Sequence, residues 1–135
     1  MEVDVDPAQR QAEIDYISAL CDDDSTVLCG AVVAGDPSSD GFEDYIRANA
    51  TNHFVKGVRR VLHTPDCEKG YCLSDKFVAG VTLLGELGLT FDLCLRPAEL
   101  SDGLELARKC PSTTLIIDHC GSEWLPKPIL LTQND

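Results

Sequence analysis

The sequence is poor in basic residues and has no long apolar run. Only 11 of its 135 residues are lysine or arginine, against 23 aspartates and glutamates, which gives a formal charge of -12. Nucleic-acid binding depends on clustered basic side chains, and the only such cluster is Lys56, Arg59 and Arg60. No stretch approaches the ~18 apolar residues of a transmembrane helix. We therefore expect neither nucleic acid nor a membrane as a partner.

A secretory signal and a disulfide framework are also missing. Residues 1–6 alternate acidic residues with valine, where a signal peptide would carry basic residues followed by an apolar stretch. The 7 cysteines are an odd number, and several lie in apolar runs, where a thiol behaves as a small hydrophobic group. We predict reduced thiols and a cytoplasmic protein.

Glycine is present, but not in a phosphate-binding pattern. Gly80, Gly85 and Gly88 fall within or at the end of a predicted helix, whereas a dinucleotide fingerprint or a P-loop lies between a strand and a helix. The usual sequence signal of a doubly wound nucleotide-binding sheet is therefore absent.

Four short runs rich in apolar and β-branched residues predict strands. They cover residues 27–34, 55–63, 89–96 and 114–119, and each is closed by glycine or proline. Runs that are apolar on both faces are typical of parallel sheets, whose two faces are covered.

Amphipathic helices are predicted around and between these strands. The first begins at Asp6 with Pro7 in its first turn, a short one covers residues 42–49, and a third is capped by Ser74 and ends at Gly88. The resulting alternation of strands and helices predicts a βα repeat.

A fourth helix is predicted to begin at Pro97. Its apolar spacing indicates that Leu100, Leu104 and Ala107 are buried, and it ends before Pro111.

Polar side chains collect at the predicted carboxyl ends of the strands, where α/β folds place their sites. Asp92 alternates with the apolar Phe91 and Leu93 and is therefore predicted to face the polar side of the sheet. By the same alternation, Asp118 and His119 point to opposite faces of the last strand. Only one of them is expected to face a site unless the strand end kinks.

Three segments of the sequence read VKGVRRVLH at 55–63, GLTFDLCLRPAEL at 88–100 and PSTTLIIDHCG at 111–121. Together they resemble the amidohydrolase-related family of metal-dependent TIM-barrel hydrolases, in particular its sugar- and aromatic-lactonase branch. The resemblance implies an α/β fold, a partial (β/α)8 TIM barrel. It would contain about strands 2 to 6 with outer helices.

The barrel domain would span residues 1–121, with 1–6 as a remnant of strand 2. Residues 122–135 would form a divergent C-terminal tail.

The resemblance also implies a reaction, the hydrolysis of a lactone by metal- or Asp-activated water. It implies catalytic roles for His119 and Asp92, substrate binding by Arg59, and metal ligation by His119. Neutral imidazole can bind zinc or polarise a carbonyl, and a guanidinium offers a planar pair of donors to a carboxylate. A small-molecule lactone is the expected partner.

The sequence departs from this family in two places that affect enzyme status. The histidines at 53, 63 and 119 form no His-x-His pair, and no last-strand aspartate is found. Catalytic zinc needs about three protein ligands, so a divalent metal is implied for the complete enzyme but is not expected to bind this chain stably. Whether the chain is an enzyme is therefore left open.

Three alternatives stand beside the lactonase interpretation. One is a catalytically incomplete barrel fragment, whose open sheet edges would favour self-association. Another is a flavodoxin-like binding module, which strand order would distinguish. The third is a cysteine nucleophile at Cys94, which shares a face with Asp92 and could meet His119. His63 and His53 are predicted to be loop residues instead of metal ligands.

Overall fold

The computed structural model describes residues 5–118, and they form four αβ units in sequence. The predictions for residues 1–4 and 119–135, which include His119 and the predicted tail, lie outside the described residues. The helices are α1 Arg10–Cys21, α2 Phe42–Asn49, α3 Asp75–Glu86 and α4 Leu100–Lys109. The strands are β1 Ala31–Ala34, β2 Val55–Val61, β3 Thr90–Cys94 and β4 Leu115–Ile117.

The four strands form one parallel sheet in the order β1-β2-β3-β4. Right-handed crossovers that all step in the same direction place their helices on one face of the sheet. A flavodoxin-like sheet reverses its strand order to carry helices on both faces. The described strands therefore form part of a (β/α)8 barrel, and the flavodoxin alternative is wrong.

The helices cover the face predicted to be apolar. Phe91 and Leu93 of β3 belong to the same buried core as Phe77 and Val81 of α3, and the Phe77 and Phe91 rings meet edge to face at 5.5 Å. The opposite face is more open, since Ile116 on β4 is 41% exposed. This open face corresponds to the interior of a barrel.

The predicted strands are longer than the observed ones, and β1 differs most. It begins at Ala31 instead of residue 27, and Val27 is 98% exposed. The reason is pairing, because Ala31 lies opposite Val55, the first residue of β2. Residues before Ala31 extend past the end of their neighbouring strand and have no ladder to join.

The helix ends mostly follow the predictions. The side chain of Asp6 accepts a hydrogen bond from the backbone N–H of Ala8 at 2.8 Å, and Pro7 opens a short 3-10 helix that leads into α1. Gly88 follows α3 with a positive φ of 73°. Ser74 occupies the N-cap position of α3, but its side chain makes no capping hydrogen bond.

The predicted buried face of α4 is wrong. Leu100 and Leu104 are 39% and 54% exposed, Ala107 is exposed, and Gly103 and Leu106 are buried instead. A Cβ on Gly103 would lie 2.9 Å from the Leu95 side chain. Helix α4 therefore packs against Leu93 and Leu95 through Gly103. The spacing of apolar residues does not identify this face, because glycine has no side chain.

The packing of α3 against the loop after β1 can be tested at Gly80. A Cβ there would lie 2.4 Å from the backbone oxygen of Pro37, so we expect Gly80→Ala to lower the free energy of unfolding by about 1–3 kcal/mol. Alanine otherwise favours helix by roughly 0.5–1 kcal/mol over glycine. Urea unfolding followed by circular dichroism measures the change.

The matched control is Gly103→Ala in α4, where the nearest atom is the end of a leucine side chain that can rotate away. We expect its effect to be much smaller. Equal losses in the two variants would contradict the backbone clash as the cause.

Candidate active site

Arg59 and Asp92 are cross-strand neighbours on the open face of the sheet. The register pairs Arg59 of β2 with Asp92 of β3, and Asp92 with Ile116 of β4. Both polar residues are half-buried. The predicted placement of Asp92 on the polar face is confirmed, and the structure brings it beside the predicted substrate-binding arginine.

Asp118 joins this pair from the end of β4. It lies two residues beyond Ile116 and therefore continues the Asp92 face. Its negative charge contributes to raising the pKa of Asp92. Sequence reasoning gave Asp118 no role, although the pairing of Asp92 with Ile116 would have identified it.

Burial is the main cause that raises the pKa of the Asp92 carboxyl above its ordinary value, and repulsion by Asp118 is the second. Attraction by Arg59 and a hydrogen bond from Thr90 oppose the shift. One buried oxygen on each of Asp92 and Asp118 has no hydrogen-bond partner among residues 5–118. A polar ligand or water in the open face would satisfy them.

A second polar group lies further along the same edge. The Nδ1 atom of His63, in the loop after β2, is 3.6 Å from the sulfur of Cys94 on β3. Arg96, just after β3, donates hydrogen bonds to backbone carbonyls of that loop and to the Glu99 carboxylate. His63 is half-buried and Cys94 is fully buried.

Arg60 faces the helices instead of the site, as alternation from Arg59 predicts. Its guanidinium lies 2.5 Å from Asp66 and 3.5 Å from Asp36, and Asp36 also accepts a hydrogen bond from Tyr71. These groups stabilise the loops that follow β1 and β2. Arg60, Asp36 and Asp66 also border a cavity of about 600 Å³ beside the start of α1.

The described residues do not complete a metal site. No group of three or more histidine, cysteine, aspartate or glutamate side chains within residues 5–118 is placed to hold a metal ion. Asp92 and Asp118 offer two carboxylates, one fewer than the three protein ligands typical of a catalytic zinc. Metal ligation and catalysis by His119 stay predictions, since that residue lies outside the described residues.

No helix within residues 5–118 has both the length and the apolar character needed to cross a membrane.

The pKa of Asp92 makes stability depend on pH. The pKa of Asp92 is raised in the folded chain, so as pH rises the unfolded chain loses this proton first. Stability therefore falls as pH rises from the ordinary pKa of aspartate through the raised pKa of folded Asp92. Asp92→Asn removes the buried charge. We expect it to unfold at a higher temperature than the unmodified chain at pH 7, and the difference to disappear below about pH 4, the ordinary value for aspartate.

Thermal unfolding by circular dichroism between pH 3 and pH 8 measures this effect. Asp24→Asn, at an exposed position, is the control for the change of net charge. A loss of stability at pH 7 in Asp92→Asn would contradict the inferred penalty.

Comparison with known proteins places this arrangement in a family. The sequence profile described as Amidohydrolase matches residues 1–133. A zinc-bound crystal structure of an amidohydrolase from Burkholderia multivorans superposes with a TM-score of 0.69 at 18% identity, over 83% of this chain and 39% of that one. At this identity the likeness shows a shared fold alone.

Amidohydrolase 2 from Bifidobacterium longum subsp. infantis superposes with a TM-score of 0.62 at 28% identity, over 88% of this chain and 42% of its own. No curated protein matched the chain. The chain thus spans about two fifths of the length of these solved relatives. Because the profile matches nearly every residue, the chain belongs to the amidohydrolase family.

Proposed function

We propose that the chain is a hydrolase that opens a sugar or aromatic lactone, and that residues 5–118 carry part of its active site. The observation that carries the proposal is the group formed by Arg59, Asp92 and Asp118 on the open face of the parallel sheet, where Asp118 follows the carboxyl end of β4. Barrel enzymes place their chemistry at the carboxyl ends of the strands. Membership of the amidohydrolase family supports hydrolysis as the reaction class.

Asp92 is suited to move a proton in this reaction. Its pKa is raised towards the range in which a carboxylate accepts a proton more readily, and one of its buried oxygens lacks a partner among residues 5–118. In the proposed reaction, water gives a proton to Asp92 while its oxygen bonds to the carbonyl carbon. The ring C–O bond then breaks, its oxygen gains a proton, and the product is a hydroxy acid.

Arg59 is suited to hold the substrate. Its guanidinium is half-buried on the same face as Asp92 and is always charged at neutral pH. Two parallel N–H donors match the oxygens of a carboxylate or of a lactone group. This contact would place the carbonyl carbon within reach of water at Asp92.

His119 is proposed to contact the substrate carbonyl or a metal ion. The relative from Burkholderia multivorans was solved with bound zinc. Zinc, when bound in such a site, polarises a carbonyl and lowers the pKa of water. Because residues 5–118 do not supply its ligands alone, no step of the proposed reaction is assigned to it.

The second candidate is a barrel fragment without hydrolase activity. The chain spans about two fifths of its solved relatives, and Val32 and Ile116 on the open face are 39% and 41% exposed. The described sheet also has edges at β1 and β4. Exposed parallel edges and apolar positions of this kind favour association with another chain.

Turnover of defined lactones separates the two candidates. We expect the purified chain to release acid from a sugar lactone or from the aromatic lactone dihydrocoumarin, measured by pH-stat titration. Asp92→Asn should lower the rate by roughly 10²–10⁴-fold, as expected for the loss of a proton-transfer group. Arg59→Gln should mainly raise KM.

Arg47→Gln is the control, because Arg47 is an exposed partner of Glu43 on α2. Absence of turnover of either lactone by the folded chain would contradict the hydrolase proposal and support the inactive fragment. Activity unaffected by Asp92→Asn would contradict the assigned site.

Self-association tests the open edge directly. Ile117 on the edge strand β4 is 56% exposed, so we expect Ile117→Lys to shift a concentration-dependent oligomer towards monomer in sedimentation velocity. Tyr16→Lys, at a 66% exposed position on α1, should not. A chain that stays monomeric at all concentrations would contradict association through this edge.

A further inference from the structure

Arg96 fixes the loop that follows β2. Its guanidinium donates hydrogen bonds to the carbonyl oxygens of Leu62 at 3.2 Å, Thr64 at 2.9 Å and Cys67 at 3.4 Å. The arginine itself comes from the next strand, so these bonds join two βα units across the carboxyl edge of the sheet. A single side chain thereby restrains the loop at three points.

Glu99 holds this arginine in place. Its carboxylate oxygens lie 3.0 and 3.1 Å from one guanidinium nitrogen of Arg96, and Glu99 is only 8% exposed. A buried carboxylate needs such a partner, and charge-assisted hydrogen bonds are stronger than neutral ones. The guanidinium is therefore ordered before any ligand arrives.

His63 is the residue that this arrangement positions. It lies between Leu62 and Thr64, whose carbonyls Arg96 binds, and its Nδ1 is 3.6 Å from the sulfur of Cys94. Contact at Nδ1 leaves Nε2 at the other corner of the ring for a ligand.

The contact with Cys94 places His63 on the same side of the sheet as Asp92. Cys94 is two residues beyond Asp92 on the same face of β3, a separation of about 7 Å along a strand. The imidazole, in contact with Cys94, and the Asp92 carboxylate therefore lie two strand positions apart along the same face of β3. An acid and a base at the two sides of the scissile bond would act on opposite ends of it.

We propose that His63 is a further catalytic residue, the general acid that protonates the leaving ring oxygen, and that Arg96 is its positioning residue. This inference rests on the proposed lactone hydrolysis. Asp92 takes a proton from the attacking water as the new C–O bond forms. His63 gives a proton to the ring oxygen as the old C–O bond breaks, and the proton on Asp92 then returns to His63 through solvent.

Leaving-group dependence tests the role of His63. A sugar lactone releases an alkoxide that needs a proton, whereas dihydrocoumarin releases a phenolate that leaves without one. We expect His63→Gln to lower kcat by about 10²-fold or more on the sugar lactone and by less than about tenfold on dihydrocoumarin. Arg96→Gln should show the same difference between the two lactones. Arg96→Lys should recover part of the kcat that Arg96→Gln loses on the sugar lactone.

Arg108→Gln is the control, because Arg108 pairs with Glu105 on the exposed part of α4. If His63→Gln lowers kcat equally on both lactones, or does not lower it, His63 is not the general acid. That result would leave the proposed lactone hydrolysis in place. If the unmodified chain hydrolyses neither lactone, the proposed function fails, and the role of His63 fails with it.

A measurement without turnover tests the anchor itself. Release of the loop should expose Cys94, so Arg96→Gln should raise the rate of iodoacetamide labelling at Cys94, read by peptide mass spectrometry, by about tenfold or more. Arg108→Gln should leave that rate unchanged, and circular dichroism should show all variants folded. An unchanged rate in folded Arg96→Gln would overturn the anchoring role, whether or not lactones are hydrolysed.

Discussion

The pairing of β2 with β3 is the constraint on which the candidate site depends. Val58 and Phe91 are partners in this register and are fully buried against the helices, which leaves Arg59 beside Asp92 on the other face. A shift by one residue would bring charged groups into the core and apolar ones into the open face. The apolar packing of one face therefore sets the distance between two charged groups on the other.

The electrostatics of the site follow from this placement. Two carboxylates and one guanidinium share a partly buried surface, and burial together with Asp118 makes the charged form of Asp92 costly. Binding of a proton or of a polar ligand stabilises such a carboxylate. In the proposed reaction, the same features suit Asp92 to the transfer of a proton.

Two arginines, Arg60 and Arg96, bind the loops at the carboxyl edge of the sheet, one on each face. Arg60 binds Asp36 and Asp66 on the helix side, whereas Arg96 binds Glu99 and the carbonyls around His63. Loops with few apolar side chains gain little from burial, so hydrogen bonds to their backbone carbonyls supply their order. The hydrogen bonds of Arg96 therefore restrain the loop after β2 at the site edge.

The sequence by itself determined the repeat of strands and helices, the parallel sheet and the polar face of β3. These depend on local signals, namely apolar runs, caps and alternation, which act within a few residues. Strand ends and the buried face of α4 depended on distant partners, as the start of β1 opposite Val55 and the close approach at Gly103 show. Only the tertiary structure decided that Asp118 joins Asp92 and that Arg96 frames His63, because these contacts arise from the register between separate strands and from side chains that reach across loops.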